Sequence, residues 1–584
     1  MIMSSVVCTG KPSEPLTWAA LGLVTPPEEG DSVVPGTTGP GEPVDPEPTA
    51  SSDGIASCFA EENAIFVSFD SGADSQSGAE QSEPVQTISH ALSLSQSGDT
   101  ICIQSRSGNA AYDETGATLD VPSGVSLVGG FDSSWNHTST RTPISGHHIA
   151  VRYVNLNGDA ELNTLEISAA SPGTPSQDSM GLRLVHGTAK LTIIDSEIRA
   201  GDISIEASED ESAGSSYGVY AYQLANLEIQ DSEIRGGRGG DGGKGADGEQ
   251  GEDGDPGDPG GAIESCSAKG DGGAGGAGGE HPTIPELNGF SGGAGGNGPP
   301  GFGNATDGNA GDGPCGGSGT AKRDGPHTAE DATCNGDDGS PGAPYLTLAS
   351  GPGSMSDFYQ PLSGGDGDDG NHGDPGSGGG GGGAHTCFTC EDTPGNGGGG
   401  GGAAGSGGEG GKGGQGGGGS FALYANNTSV SLTNVTLISE PGGSGGNAGT
   451  GGPGGSGGDG GNGPDTCPFR GGGGGAGGKG GDGGPGGDGS GGSGGPSIAL
   501  VIVDSPVSLD TVQLQSGPGG PGGDARHGRS GDGGHSYAIF ASEVSLVPDL
   551  SSSVLAVGTP GNAGSVTGSG PVGNDGATGN QYIP

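Results

Sequence analysis

The stretch LRLVHGTAKLTIIDSEIR (182–199) contains three short runs in which apolar residues alternate with polar ones. The runs are LRL at 182–184, LTI at 191–193 and EIR at 197–199. A period of two is typical of half-buried β-strands. The stretch therefore predicts three strands that are separated by two tight turns.

The same pattern recurs at four further places along the chain. They are 219–235, 421–438, 498–515 and 537–557. One set of three strands cannot bury its own apolar face, whereas sets stacked ~4.8 Å apart share one interior and pair their backbones. The repeat therefore predicts an all-β fold, a parallel β-helix or solenoid.

Between the repeats the chain makes long glycine-rich excursions. Each excursion starts at the same place in the repeat, after Arg199, Arg235, Ile438, Gln515 and Val557. If the repeats stack as coils, all the excursions leave from one edge of the stack. We therefore expect them to lie side by side.

The glycines of the excursions keep a frame of three. Every third residue from Gly236 to Gly260 is glycine. The frame recurs at 270–279, 289–301, 364–382, 399–417, 443–461 and 474–495. Three residues per turn is the period of the extended left-handed helix. Because most triplets are Gly-Gly-X, we predict an inserted polyglycine II-type helical bundle formed by one chain; a collagen triple helix, which needs three chains, is the alternative. The pattern resembles that of the snow-flea antifreeze protein and of some phage tail adhesins.

Four motifs near the start of the chain form an ordered set. They read VSFDSGADSQSG (67–78), PVQTISHAL (84–92), GDTICI (98–103) and PSGVSLVGGF (122–131). Together they resemble the N-terminal cap of bacterial pectin-lyase-like proteins, over about 62–145. The resemblance implies a right-handed parallel β-helix and a bacterial surface protein.

These patterns divide the chain into a series of predicted regions. They are a Pro- and acid-rich linker or tether (1–57), a β-helix cap with the first coils (58–145), further coils (146–235), a glycine-rich insertion (236–418), a coil (419–439), a second insertion (440–496), further coils (497–557) with a short excursion (516–535), and a glycine-rich tail (558–584).

The charge of the chain restricts its partners. Its 584 residues include 71 acidic and 18 basic ones, a net charge of −53. This charge disfavours binding to nucleic acid and to anionic lipid. No apolar run approaches the ~18 residues of a transmembrane span. Cys8, followed by the linker, resembles the mature start of a bacterial lipoprotein and is a candidate lipid anchor; the alternative is an unpaired or disulfide-linked cysteine.

The other eight cysteines are candidates for disulfides. They are Cys58, Cys102, Cys266, Cys315, Cys334, Cys387, Cys390 and Cys467. Six of them lie at breaks between glycine blocks, where a chain reversal is expected. This placement predicts staples formed in an oxidising compartment, with a connectivity that the sequence leaves open.

Polar residues recur at the second turn of the repeats. Asp195, Asp231, Asn434 and Asp510 are predicted to stack there as a ladder, because Asn and Asp tolerate a left-handed backbone. Next to them, Glu197 should stack on Glu233 and Arg199 on Arg235, which favours ion pairs between coils. The alternative is that paired carboxylates perform acid–base chemistry on a glycan. No residue is assigned a catalytic role.

Metal binding is a minor alternative. The segments 242–250 and 364–372 nearly match the calcium-binding nonapeptide, but Glu249 and Asn371 replace its apolar eighth residue. Hydrated acids are therefore favoured over calcium sites. The sequence HTCFTC (385–390) offers three zinc-type ligands and no fourth at a fitting spacing. No cofactor is predicted.

The sequence therefore predicts a non-enzymatic protein exported to the bacterial cell surface or extracellular matrix, with a structural or adhesive role. Expected partners are further copies of the chain, in fibres, or glycans and cell surfaces. Two alternatives stay open. One is a polysaccharide lyase or glycoside hydrolase on the β-helix face, and the other is an ice-binding protein.

Overall fold

The computed structural model describes residues 53–60, 63–263, 271–298, 305–323, 327–347, 353–386, 392–466 and 471–584. This part of the chain is nearly all β. Its helices are α1 (Asp53–Ala60) and α2 (Ile88–Leu94), with single 3-10 turns at Ser107–Asn109, Pro285–Leu287 and Val544–Leu546. Thr87 caps α2 by accepting a bond from the His90 N–H, and α1 begins inside the stretch predicted as a linker.

Two large sheets contain nearly all the strands. The first has fourteen strands: β1 (Ala64–Val67), β2 (Thr100–Gln104), β4 (Leu119–Val121), β5 (Ser126–Phe131), β7 (Ile149–Leu156), β8 (Ala160–Asn163), β10 (Ser179–Ile194), β12 (Ser216–Gln230), β16 (Ser420–Asn426), β17 (Ser429–Thr433), β19 (Ser497–Val503), β20 (Val507–Asp510), β22 (Ser536–Ala541) and β24 (Thr578–Tyr582). The second has eight: β3 (Tyr112–Glu114), β6 (Thr142–Gly146), β9 (Leu165–Ala169), β11 (Glu197–Arg199), β13 (Glu233–Arg235), β18 (Thr436–Ile438), β21 (Gln513–Gln515) and β23 (Val554–Ala556). A small hairpin pairs β14 (Ser354–Met355) with β15 (Tyr359–Gln360).

The strands of both large sheets pair in parallel, repeat upon repeat. Leu182 pairs with Val219, Val219 with Leu423, Leu423 with Leu500 and Leu500 with Ile539. All five side chains are completely buried in one core that runs through the repeats. Burying such a side chain contributes about 1.5–3 kcal/mol. The predicted parallel stacking of the repeats is confirmed by these registers.

Left-handed residues stack at the second turn of the repeats. Asp195, Asp231 and Asn434 have φ values of 42°, 47° and 53°, and the Asn434 Nδ2 donates to the Asp231 Oδ1 at 2.6 Å. The prediction for Asp510 is wrong. Asp510 pairs with Thr433 inside strand β20, so the left-handed position falls on Thr511, with a φ of 55°.

Serine hydroxyls join the two ends of several excursions. The Ser497 Oγ donates to the Glu440 carbonyl at 2.8 Å, and the Ser536 Oγ donates to the Gly517 carbonyl at 2.8 Å. These serines belong to a buried row that runs through the first strand of each repeat. The row consists of Ser179, Ser216, Ser420, Ser497 and Ser536. Each excursion closed in this way returns to the point at which it left the stack.

An aromatic layer covers the outer face of β12 and β16. The rings of Tyr220 and Phe358 stack at 4.5 Å, and Phe358 lies in the turn between β14 and β15. The Tyr220 hydroxyl donates to the Asp357 carbonyl at 2.6 Å, and the Tyr424 hydroxyl donates to the Ser356 carbonyl at 2.8 Å. This hairpin therefore fastens the long excursion to the outside of the stack.

One glycine-rich segment, 396–418, lies at the centre of the excursions, and we call it the central segment. The N–H groups of Gly397, Gly398 and Gly399 donate to carbonyls in three different neighbouring segments, at 2.9–3.0 Å. The carbonyls of Gly398, Gly399 and Gly400 accept N–H groups from three others, at 2.7–2.8 Å. The six partners are, in the order of these bonds, Gly261, Gly293, Gly475, Gly276, Gly379 and Gly461. Successive residues of the central segment are therefore bonded to six surrounding segments.

Close contact between backbones explains the lack of side chains in the central segment. A Cβ placed on Gly400, Gly401 or Gly402 would lie 1.8–2.0 Å from a carbonyl oxygen of a neighbouring segment. Farther along the segment, where the neighbours that contain Gly276 and Gly293 have ended, Glu409 and Lys412 have exposed side chains. Glycine therefore fills every position from 397 to 402, where six neighbours surround the segment, and two of every three from 406 to 417, where fewer do; the small residues Ala403 and Ala404 lie between these two parts.

Neighbouring segments keep their register over many residues. Gly239 donates to Pro441, Gly248 to Thr450 and Gly257 to Asp459, always at the same separation along the chain. Such regularity requires that both segments keep one frame, because a single inserted residue would displace every later bond. The period of three in the sequence thus corresponds to the spacing of bonds between these segments.

Two disulfides occur in the described part of the chain. Cys58–Cys102 joins α1 to β2, and Cys315–Cys334 closes a short loop in the long excursion. Cys8 and the remaining candidates, Cys266, Cys387, Cys390 and Cys467, lie outside the described residues.

We predict that Gly401→Val loosens the excursions. Its Cβ would lie 1.8 Å from the Gly376 carbonyl oxygen, and backbone cannot move aside as a flexible side chain does. The expected loss of stability is about 3 kcal/mol, at the upper end for overpacked sites. Thermal unfolding and limited proteolysis would measure it. Glu409→Val, in the same segment but exposed, is the matched control; equal stability of the two variants would contradict the packing described here.

Candidate functional site

Three glutamates stack on neighbouring strands of the second sheet. Glu166 of β9 pairs with Glu197 of β11, and Glu197 pairs with Glu233 of β13. Arg199 and Arg235 are also in register, as the sequence predicts. Neighbouring strands are ~4.8 Å apart, so the three carboxylates form a short acidic row, called the glutamate row below.

Burial and like charge raise the pKa of Glu197. Desolvation is the largest cause, and the carboxylates of Glu233 and Glu166 add to it, whereas Arg141 and Arg235 oppose it. A carboxyl with a raised pKa holds its proton to a higher pH than a free glutamate does, which is what a general acid requires. The row therefore has one property of an acid–base site.

Arginines pair with the acids of the row both within a strand and between coils. Arg235 pairs with Glu233 of its own strand and lies 4.0 Å from Glu440 of the next coil. Arg141 reaches Glu197 at 3.6 Å and Asp195 at 3.3 Å. The predicted ion pairing between coils is found for Arg235, which reaches Glu440 of the next coil as well as Glu233. The sequence gives no periodic signal for Arg141, which precedes the repeats.

A second group of acids lies along the excursions. The Oδ1 atoms of Asp241, Asp247 and Asp253 accept backbone N–H groups of the neighbouring segment at 2.6–2.8 Å. Their partners are Ser444, Thr450 and Ser456, each 203 residues farther along the chain. The carboxylates thus supply acceptors to N–H groups at the surface of the excursions, where glycine could supply none.

The same bonding recurs elsewhere and affects ionisation. The Lys244 ammonium and the Thr450 N–H lower the pKa of Asp247. The Gly457 N–H and the Lys479 ammonium lower the pKa of Asp482. These carboxylates are therefore stabilised in the charged form. Besides being hydrated, they link neighbouring segments by accepting backbone N–H groups. The available sequence signal was the recurrence of Asp as the third residue of Gly-X-X triplets, as at Asp241, Asp247 and Asp253.

The segments that resemble calcium-binding repeats use their acids in this way. Asp247 bonds to Lys244 and to Thr450, both at 2.8 Å. Asp366 bonds to Lys412 at 3.1 Å and to the Gly413 N–H at 2.9 Å. Among the residues that the structure describes, no group of three or more His, Cys, Asp or Glu side chains could hold a metal ion.

Comparisons with known proteins give few similarities. No known protein family matches the sequence, and no characterised protein matches it either. The similar solved structures include a PL6 family alginate lyase (14% identity, 31% of this chain and 27% of the lyase, TM-score 0.17), a rhamnogalacturonan lyase (12% identity, 30% and 70%, TM-score 0.14) and a GH136 lacto-N-biosidase from Eubacterium ramulus (9% identity, 30% and 44%, TM-score 0.14).

These distant neighbours are carbohydrate-active enzymes. This chain spans only about a quarter of the length of the alginate lyase, with a match to 27% of it. At such scores the likeness carries no argument about activity. Within the described residues, no helix is both long and apolar enough for a membrane span.

We predict that acid destabilises the excursions. A carboxylate whose pKa is lowered on folding stabilises the folded state at neutral pH, and this contribution is lost as the pH falls below about 4 through the folded pKa. The pKa values of Asp247 and Asp482 shift in this direction. The contribution of these carboxylates to the melting temperature should therefore be nearly constant from about pH 7 to pH 5 and be lost below about pH 4, whereas the raised pKa of Glu197 acts in the opposite sense between pH 7 and pH 5.

Two triple variants separate acceptor from charge in this prediction. Replacing Asp241, Asp247 and Asp253 with alanine removes the acceptors and should lower the melting temperature at neutral pH. Replacing the same residues with asparagine retains a side-chain oxygen, so it should lower the melting temperature less and weaken its pH dependence. An alanine variant as stable as the parent at neutral pH would show that these bonds do not hold the segments together.

Proposed function

We propose that this chain is a non-enzymatic protein exported to the bacterial cell surface or extracellular matrix, where it has a structural or adhesive role. In this proposal a right-handed parallel β-helix forms a rigid spine, and the excursions form a polyglycine II-type bundle beside it. The observation that carries the proposal is the bonding of the central segment to six neighbours. A loop devoted to catalysis or to flexible linkage has no need of such order.

The stack supports the role of a spine. Its core is continuous from the cap to the last coils, and each repeat pairs its backbone with the next one. The two disulfides support export, because such bonds persist in oxidising compartments. Cys8, the candidate lipid anchor, lies outside the described residues, and its lipidation stays a prediction.

The bundle supports the role of a contact surface. The segments that start near Gly239 and near Gly442 run parallel to each other and in register, so their side chains form regular rows. The rows contain carboxylates, hydroxyls, amides and prolines and few large apolar groups. Such a surface suits extended polar partners, such as glycans, a cell surface or another copy of the chain.

The glutamate row favours a second candidate function, a polysaccharide lyase or glycoside hydrolase. Carboxyl groups about 5 Å apart suit a retaining glycosidase, and the raised pKa of Glu197 suits its acid. Two clefts weigh against this candidate, because they lie beside Asp120 and beside Asp132 and neither is lined by the glutamate row. Ice binding also stays a prediction, and measurable thermal hysteresis would support it over adhesion.

One experiment compares the first two candidates. Purified full chain would be tested for binding to immobilised glycans and bacterial cells, and for cleavage of alginate, rhamnogalacturonan and a lacto-N-biose glycoside. We expect binding without turnover, unchanged in Glu197→Gln and reduced in Gly401→Val. Turnover that is lost in Glu197→Gln would overturn the structural role and establish the enzymatic one.

A further inference from the structure

A polar cleft lies at the capped end of the stack, away from the glutamate row. Strands β1, β2 and β5 are parallel neighbours in the first sheet and end at the same edge. The residues that follow them include Asp70, Ser105, Arg106, Asp132 and Ser133, which line a cleft of about 470 Å³. This volume lies within the usual range of small-molecule sites, about 300–1,000 Å³.

The floor of the cleft is held in place by hydrogen bonds. Gln104 is 6% exposed, its Oε1 accepts the Ser68 hydroxyl at 2.7 Å, and its Nε2 donates to the Asp132 carbonyl at 2.8 Å. The Asp132 Oδ1 also accepts the N–H groups of Ser134 and Asn136, at 2.8 and 2.9 Å, and its Oδ2 accepts the Asn136 Nδ2 at 3.3 Å. The Cys58–Cys102 disulfide lies two residues before Gln104 in β2. The polar groups of the cleft are therefore preorganised.

The charged groups on the walls are only partly used within the protein. The Asp70 Oδ2 accepts the Ser107 N–H at 2.7 Å, which leaves its Oδ1 for a ligand. The Arg106 guanidinium lies 3.6 Å above the Phe69 ring, its Nη1 donates to the Ala111 carbonyl, and its Nε is buried without a partner. Nη2 is the remaining donor nitrogen of this side chain.

These constraints select the chemistry of a ligand. A carboxylate ligand prefers two parallel bonds from one guanidinium, and Arg106 cannot offer them because its other nitrogens are engaged or buried. The net charge of −53 also disfavours anions. A metal cation would use the Asp70 Oδ1 but give Arg106 no role. A ligand with adjacent hydroxyls can donate to the Asp70 Oδ1 and accept from the Arg106 Nη2 and the serines.

We propose that this cleft binds a neutral sugar unit. The site does not depend on the bundle or on the glutamate row, so it adds a separate contact to the structural role. The ligand would be the end of a glycan chain or a free saccharide, since both offer adjacent hydroxyls of the same kind.

Binding can be tested with the full chain. The probes are galactose, glucose, N-acetylglucosamine and cellobiose, with glucuronate as the anionic comparison, measured by saturation-transfer NMR and then by calorimetry. We expect at least one neutral sugar to bind. Ser133→Trp fills the cleft from an exposed position, and Asp70→Asn removes a charged acceptor; each should weaken binding about tenfold or more.

Controls keep the test independent of folding. Asp113→Asn changes an exposed carboxylate outside the cleft and should leave binding unchanged. The melting temperature of each variant shows whether it folds, and Ser133→Trp retains the hydrogen bonds of the floor. The proposal is overturned if no neutral sugar binds, if only glucuronate binds, or if the two folded cleft variants bind as well as the parent does.

Discussion

The glycine-rich excursions depend on one requirement, that buried backbone N–H and C=O groups find partners. Glycine has no side chain to bury, so these segments gain little from the hydrophobic effect. Each hydrogen bond contributes only about 1 kcal/mol net, and ordering a residue costs about 1–2 kcal/mol. The central segment meets the requirement because its successive residues face six neighbours. At the surface, where neighbours are missing, aspartate carboxylates accept N–H groups in their place.

The stack of strands lowers the conformational entropy that is lost when the excursions bond to one another. Repeats pair in a fixed register, so the points where excursions leave are also fixed relative to one another. Serine hydroxyls such as Ser497 and Ser536 close excursions at their roots. The hairpin at Phe358 adds a contact far along the chain from Tyr220. The ends of the segments are therefore fixed before the segments meet. Most of the conformational entropy needed to bring the segments together is lost when the stack forms.

Part of this architecture is readable from the sequence. Alternation predicted the paired strands around Leu182 and Val219, because one buried face imposes a period of two. The left-handed position at Asp510 was misplaced by one residue, since register there places Thr511 in the turn. A second row of left-handed residues was missed because His186 and Gln223 interrupt it, although its other members, Asn155, Asn427 and Asp504, are of the residue types that tolerate this backbone. The bonds of Asp241 and Arg141 were also hidden, because each depends on a partner far away in the sequence.

Amide hydrogen exchange of the full chain tests the central claim most directly. The account predicts slow exchange for 397–405, comparable to that of the paired strands β10 and β12, because the N–H groups there are bonded within the interior of the excursions. Exposed triplets at the surface of the excursions should exchange faster. Rapid exchange throughout 397–405, as in an unstructured chain, would contradict the six-neighbour arrangement and the function that we derive from it.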